Sequence, residues 1–375
     1  MLRNITSIMG RRLSRNFGTL VPEVKKYDIN EYSEKVLTLS NLKLKDCQEV
    51  FSNDTISVLG YGPQGRGQSL NLRDNGFPVI LGLRKEGSSW EKAKNDGWIE
   101  NENLFELEDS LKRGTVIKYL LSDAAQITNW KLVEKYLKEN SDRVQNKTLY
   151  FSHGFGIVFN NQTNIIPPSN VDVIMVAPKG PGGLVRDNYL KGNLGINASY
   201  AIEQDVSGNS LDKCIALSYG IGSKNLFETT FQKEVYSDLT GERCVLMGLI
   251  QGAFKAQYDV LRENGHSPME CFNETVEEGL QSLYPLINEK GMDWMFSNCS
   301  TTAQRGALDW SKVFYQHIKP IIGHCYDTVR EGKESQRSID NNSNPDYREQ
   351  LEKELRDIDN QEIWQVGKLV RDLRN

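Results

Sequence analysis

Asp238 with Glu242, and Glu274 with Glu278, form two carboxylate pairs, each spaced i, i+4. On a helix that spacing stacks both side chains on one face. Oxygen ligands without histidine or cysteine suit Mg2+ or Mn2+ rather than zinc or copper. The bland alternative is a solvated face on which like charges repel mildly. Against it, Asp238 and Glu242 are expected in the first turns of a mostly apolar helix that includes CVLMGLI. Glu274 and Glu278 lie among Phe272, Val276 and Leu280. Glu277 points about 100° round the helix from Glu278 and is set aside as a ligand. The chain also carries a dinucleotide fingerprint, so these acids suggest a hard-metal site working beside a nicotinamide.

That fingerprint is Gly60-Tyr61-Gly62-Pro63-Gln64-Gly65, directly after the apolar run ISVL and before a helix candidate. Gly60 permits the tight turn, Gly62 lets backbone approach a pyrophosphate, and Gly65 lets helix and strand pack closely. The free amides of the helix N-terminus then hold the phosphates. The alternative is a Gly-rich turn without a ligand. Arg66, just past the last glycine, either faces phosphate or is a solvated helix side chain. At the end of the second strand the run FPVILGL meets Arg84-Lys85-Glu86-Gly87-Ser88-Ser89. NAD sites place an acid at that point. A cation followed by hydroxyls suits a 2′-phosphate, so Arg84, Ser88 and Ser89 predict NADPH. Glu86 lies beyond the strand end and is not read as the ribose acid.

Later strand ends add polar groups. TVIKYLLSD brings Ser122 and Asp123 to the cofactor side, SHGF brings His153, and APKGPGG brings Lys179. In an open α/β sheet ligands collect outside the carboxyl ends of the strands. A lone histidine is often only a hydrogen-bonded core residue, whereas the Gly/Pro-rich surroundings of Lys179 favour a working role. His266, His317 and His324 have no such context.

The elements that must position these residues fall into two stretches. Between residues 53 and 223, TISVLGYG, FPVILGLR, TVIKYLLSD, KTLYFSHG, VDVIMVAPKG and CIALSYGIG each read as a buried strand. PQGRGQSLNLRDNG and AAQITNWKLVEKYLKEN read as intervening helices, and this alternation implies a parallel sheet. After residue 225 the strands stop. DLTGERCVLMGLIQGAFKAQYDVLRENG reads as one long helix closed at Asn264-Gly265. Ser267-Pro268-Met269-Glu270 forms a capping box that starts a second helix, running to Lys290, which Pro285 must kink or end. GKESQRSIDNNSNP reads as a surface loop, and the chain closes on a charged amphipathic helix, DYREQLEKELRDIDNQEIWQVGKLVRDLR.

The 375 residues, 38% hydrophobic and 25% charged, fit a soluble two-domain protein. No apolar run reaches the roughly 18 residues of a membrane span. With a net charge of −5 and no basic stripe, nucleic acid is not an indicated partner. Six scattered cysteines without CxxC spacing read as neutral thiols in a reducing compartment. The first twenty residues hold Arg3, Arg11, Arg12 and Arg15 and no acid; the first acid is Glu23. Leu2, Ile5, Met9 and Leu13 fall near one helical face. This is the composition of an organellar transit peptide, mitochondrial before plastid; the alternative is a basic tail. The expected division is a transit peptide and extension over 1–35, a cofactor domain over 36–224 and a helical domain over 225–375.

GYGPQGRGQSLNLRDNG, LGLRKEGSSWEKA, SHGFGIVF, APKGPGGLVR, SDLTGER, NETVEE and CSTTAQRGALDW occur in that order. Together they closely resemble the ketol-acid reductoisomerases, or acetohydroxy-acid isomeroreductases, in their short form of fungal mitochondrial type. The resemblance runs from about residue 40 to the C-terminus. It implies an α/β Rossmann-type domain with a parallel-rich sheet, followed by an all-α, knotted domain that supplies most of a homodimer interface. It implies NADPH and two Mg2+ ions as cofactors. Asp238 matches the carboxylate that bridges both ions and Glu242 a ligand of the first. Glu274 and Glu278 match acids around the second ion, supplied by the partner subunit. Ser300 matches a serine on the substrate carboxylate, and His153 and Lys179 match polar active-site residues.

The implied reaction is alkyl migration and reduction of 2-acetolactate or 2-aceto-2-hydroxybutyrate to 2,3-dihydroxy-3-methyl acids, in valine, leucine and isoleucine biosynthesis. The residues agree with that chemistry. Migration needs an alkoxide beside a polarised carbonyl, which two hard ions in an acidic cage would serve. His153, Lys179 and Glu242 are the expected catalytic residues. A metal-free 3-hydroxyacid or 6-phosphogluconate-type dehydrogenase would instead keep full activity in chelator. A catalytically dead NADP-binding protein would be indifferent to mutation of Glu274.

Overall fold

Strand β3, Ile56–Leu59, sits inside a ten-stranded sheet at the point where the chain reverses its direction of winding. The computed structural model describes residues 20–138, 147–192 and 195–374, so the arginine-rich leader lies outside the described residues. The other strands are β1 Glu23–Ile29, β2 Tyr32–Thr38, β4 Val79–Leu83, β5 Leu104–Glu106, β6 Val116–Tyr119, β7 Thr148–Phe151, β8 Asp172–Pro178, β9 Ile196–Gln204 and β10 Ser223–Glu228. Their order is β1-β2-β10-β9-β8-β7-β6-β3-β4-β5. From β5 to β8 all pairings are parallel, while β9 runs antiparallel to β8 and β2 antiparallel to β10. β4 and β6 flank β3, so a crevice opens at its carboxyl end.

Strands β3, β6 and β7 are buried along their length, which is why they read as mainly apolar runs rather than alternating ones. The chain divides into two compact units between Glu234 and Val235, within the helix Phe231–Arg243. In the first unit, helices Pro63–Asp74 and Asp123–Lys138 lie where the sequence predicts them.

One expected strand is not a strand. CIALSYGIG belongs to the helix Ser210–Gly220, in which Lys213 through Ser218 are all buried. With six successive residues buried, this apolar run shows no periodicity that tells it from a buried strand. Tertiary contacts decide it. Lys213 donates to Asp172 at the start of β8 at 2.8 Å and to Thr148 at the start of β7 at 2.6 Å. Asp205 accepts from the backbone of Gly208 and Ser210, holding the helix start. The sheet also recruits residues expected in an N-terminal extension: β1 and β2 form a hairpin from Glu23 to Thr38, which β10 joins to the sheet.

In the second unit the long helix expected through Asn264 is two helices, Phe231–Arg243 and Gly248–Glu263. Between them Leu246 N–H reaches back to Gly241 O, and Gly248 packs its Cα directly on the Arg243 carbonyl, which any side chain would block. Asp238 is therefore mid-helix and Glu242 in a last turn, rather than both in first turns. The end at Asn264-Gly265 is as expected, with Gly265 at φ +89°. The capping box is present: Ser267 accepts from Glu270 N, and Glu270 accepts from Ser267 N. Pro285 does not break this second helix. Two wide-turn segments, Asn273–Glu277 and Gly279–Leu283, precede it and relieve the carbonyl clash, and the helix continues as Tyr284–Lys290.

GKESQRSIDNNSNP is likewise not a loop but the helix Lys333–Ser343. Its polar residues find partners within the unit: Glu334 pairs with Arg243 at 2.8 Å, and buried Ser335 bonds Gly332 O. The closing segment is two helices, Tyr347–Asp359 and Glu362–Asp372. The second packs Ile363, Val366 and Val370 on Tyr258, Cys271, Phe272 and Val276. No described helix is long and apolar enough to cross a membrane. Cys47, Cys214, Cys244 and Cys271 are buried, and burial pushes the Cys47 thiol up to about 12, which keeps it neutral.

Candidate functional site

Glu234 organises the polar end of the first unit. It lies in the first turn of the helix Phe231–Arg243 and is 3% exposed. His153 Nδ1 lies 3.0 Å from its Oε2, and Lys179 Nζ donates to its Oε1 at 2.9 Å. His153 follows β7 and Lys179 follows β8, adjacent parallel strands, so the sheet delivers both to one point. Burial pushes the Glu234 carboxyl up, but the hydrogen bond and charge of His153, with those of Lys179, outweigh it and hold the carboxyl below its ordinary range. The result is an ionised, anchored acid that orients one ammonium and one imidazole.

The sequence reading missed Glu234. A signal was available, because Glu234, Asp238 and Glu242 continue one i, i+4 series. Asp123, at the start of the helix after β6, has its carboxyl raised by desolvation and held back by the nearby charge of His153. Ser122 is exposed beside it and accepts from Gln126 N through its carbonyl.

The fingerprint has the geometry that a dinucleotide requires. Gly60 adopts φ +101°, and Gly65 packs on the Gly60 carbonyl so closely that no Cβ fits. Open space surrounds Gly62 on its side-chain side, leaving the loop clear for phosphate. Pro63 begins the helix, and its missing N–H costs nothing at that position. Gln64 donates to Gly180 O at 3.0 Å. The Tyr61 ring is buried, with its hydroxyl donating to Asp96 and accepting from Trp98, so only its backbone faces the loop. Arg66 is held bidentately by Asp96 at 2.6 and 2.7 Å and remains part-exposed. Arg84 is exposed at the end of β4. Ser88 and Ser89 open the next helix, whose first amides have no intrahelical acceptor.

The second unit holds the remaining expected residues. Asp238 is half-buried and Glu242 exposed, one turn apart on the same helix face. Glu274 and Glu278 are both exposed, whereas Glu277 is buried and paired with Arg374. Ser300 caps the 30-residue helix Thr301–Arg330, accepting from Ala303 N at 3.3 Å. The donors are all oxygen, and the four acids carry enough charge for hard divalent ions.

Comparison with known proteins gives two family matches. Residues 50–226 match the acetohydroxy acid isomeroreductase NADPH-binding domain, and residues 231–375 match the ketol-acid reductoisomerase C-terminal domain. The chain is 52% identical to a mitochondrial ketol-acid reductoisomerase of Neurospora crassa, over 94% of this chain and 86% of that protein. It is 55% identical to the mitochondrial ketol-acid reductoisomerase of Saccharomyces cerevisiae, over 87% and 81%. A solved NADH-preferring ketol-acid reductoisomerase from an uncultured archean superposes with a TM-score of 0.76 at 30% identity, over 90% of this chain and 98% of that one. Family models over both units, joined to identity above half across most of two relatives, settle the assignment: the chain belongs to the ketol-acid reductoisomerase family, a family of oxidoreductases.

Proposed function

We propose that the protein carries out the alkyl migration and reduction of 2-acetolactate and 2-aceto-2-hydroxybutyrate, with NADPH and two Mg2+ ions. The observation that carries this reading is the convergence of His153 and Lys179 on a buried, ionised Glu234, in a chain of this family. When bound, NADPH supplies the hydride and the two ions supply positive charge beside two neighbouring substrate oxygens. Asp238, Glu242, Glu274 and Glu278 would hold the ions. Gly60 through Gly65 hold the cofactor phosphates, and Ser122 and Asp123 border that site. Arg84, Ser88 and Ser89 take the 2′-phosphate, and Ser300 the substrate carboxylate.

The remaining work falls to the chain's own side chains. Glu234 aims Lys179, so that its Nζ can pass a proton to an alkoxide and recover one through water. The same carboxylate keeps the His153 ring oriented, with Nε2 directed away from Glu234 to order water. The exposed Trp310, Phe314 and Ile321 on the long helix, 61%, 57% and 68% accessible, support a homodimer in which a second copy covers them. The mitochondrial names of the fungal relatives and the acid-free, arginine-containing start support a mitochondrial enzyme with a transit peptide. The test is incubation of purified protein with acetolactate, NADPH and Mg2+, following absorbance with and without chelator. Consumption of NADPH that ignores chelator would point to the metal-free dehydrogenase instead.

A further inference from the structure

The side chain of Gln68 is fully buried in the helix Pro63–Asp74, one turn after Gln64 of the fingerprint. Its Nε2 donates to Gln64 Oε1 at 3.0 Å and to Ser152 Oγ at 2.7 Å. Its Oε1 lies 3.0 Å from the Tyr150 hydroxyl, whose single proton it shares with Val176 O, also at 3.0 Å. Gln64 in turn donates to Gly180 O at 3.0 Å. Two stacked amides therefore tie together three strand-end loops: the phosphate loop after β3, the Ser152-His153 turn after β7 and the Lys179-Gly180 turn after β8. An amide suits this position, because it donates from one end and accepts at the other without titrating. Ser152 immediately precedes His153 and Gly180 immediately follows Lys179, the two residues that meet on Glu234.

We propose that Gln68 is a positioning residue that couples occupancy of the phosphate loop to the placement of His153 and Lys179. The inference rests on the functional reading above. The helix Pro63–Asp74 presents its N-terminal amides to the cofactor phosphates. Any adjustment of its first turn on binding is passed through Gln64 and Gln68 to backbone and side chains adjoining the proton-handling pair. A buried network of this kind resists partial disruption, because an unmade bond leaves a desolvated polar group. The Gln68 amide does not titrate and carries no charge, so its effect is on geometry alone.

The test uses the full-length protein. With only four histidines, the His153 ring resonance can be assigned by a His153→Gln variant. Titration with 2′-phospho-ADP-ribose, which fills the phosphate end and lacks the nicotinamide, should shift that resonance in the wild type. Gln68→Met should bind the fragment as the wild type does, lose most of the His153 shift, and lower kcat by about tenfold or more with little change in KM for NADPH. Ser152→Ala, which removes one link and spares the helix, should give a smaller loss in the same two readouts and keep the inference testable if Gln68→Met is poorly folded. A folded Gln68→Met protein with an intact His153 shift and wild-type kcat overturns the coupling while leaving the function in place. A wild-type protein that does not turn over acetolactate sinks the functional reading, and the fragment titration still decides the coupling.

Discussion

Lys179 Nζ lies 2.9 Å from Oε1 of a Glu234 that is almost wholly removed from solvent. An anchored carboxylate of this kind fixes the direction of the ammonium rather than merely neutralising it. Glu234→Gln keeps the shape, loses the charge, and should lower kcat by about 10²–10⁴. Lys179→Met should do the same, and the double variant should be little worse than either, since the two act as one unit. Fully additive losses in steady-state kinetics would show that they act separately.

Cofactor choice should follow the end of β4. Arg84, Ser88 and Ser89 predict NADPH over NADH by about tenfold or more, the size of one charge-assisted contact. Replacing all three by Asp should move the preference toward NADH. Comparable kcat/KM values for both cofactors in the wild type would refute the assignment, a pointed comparison because one structural neighbour is NADH-preferring.

Lys118 stands in the middle of β6, fully buried, with its Nζ 3.8 Å over the Tyr150 ring and no hydrogen-bond partner among the described residues. Burial holds its amine well below the ordinary lysine range. Lys118→Met retains the stem and removes the desolvated amine, so it should stabilise the protein by about 1–3 kcal/mol. A lower Tm in calorimetry would mean that the amine is better satisfied than the geometry indicates.

Acid should weaken the first unit through Asp172. Burial raises its carboxyl, but Lys213 and the Ser207 hydrogen bonds outweigh that and hold it below the usual range. A carboxyl lowered on folding stabilises fully above its unfolded value of about 3.9 and loses that stabilisation as pH falls through the folded value. Asp172→Asn should therefore be much less stable than wild type in urea at pH 7, with the gap narrowing toward pH 3. A gap that widens in acid would contradict this sign.

The acids of the second unit permit a mixing experiment. Asp238→Asn should abolish rearrangement and weaken reduction of an already rearranged 2-keto-3-hydroxyacid, while Glu274→Gln should damage rearrangement more than reduction. Mixed under conditions of subunit exchange, the two variants should regain activity above either parent if acids from two chains share a site. No recovery despite proven exchange would place all four acids in one chain.

Much of the first unit was legible because its parallel strands carry mainly apolar runs and its glycines are placed by backbone geometry. The errors fall where local pattern is silent. Ser210–Gly220 buries Lys213 through Ser218 in succession, so its local pattern matches a buried strand, and long-range contacts such as Lys213 to Asp172 hold it in place. Lys333–Ser343 is a polar helix with no apolar stripe to announce it. Its start is held instead by the Glu334–Arg243 pair, from a residue 91 positions earlier, and by the Ser335 bond to Gly332 O.

The sequence by itself determined the cofactor fold, the family and the acids at i, i+4 spacing, because those depend on contacts within a few residues of one another. Only the tertiary structure decided that Glu234 is the anchor of the site. Its carboxylate draws its meaning from His153 and Lys179, which are 81 and 55 residues away in the chain and are brought to it by the adjacent strands β7 and β8. Arg66 is a second case: its sequence position leaves it either facing phosphate or solvated, and the tertiary structure adds a partner, Asp96, 30 residues on. A local pattern can place a side chain on a face, but burial and long-range pairing decide its charge, its direction and what it can do.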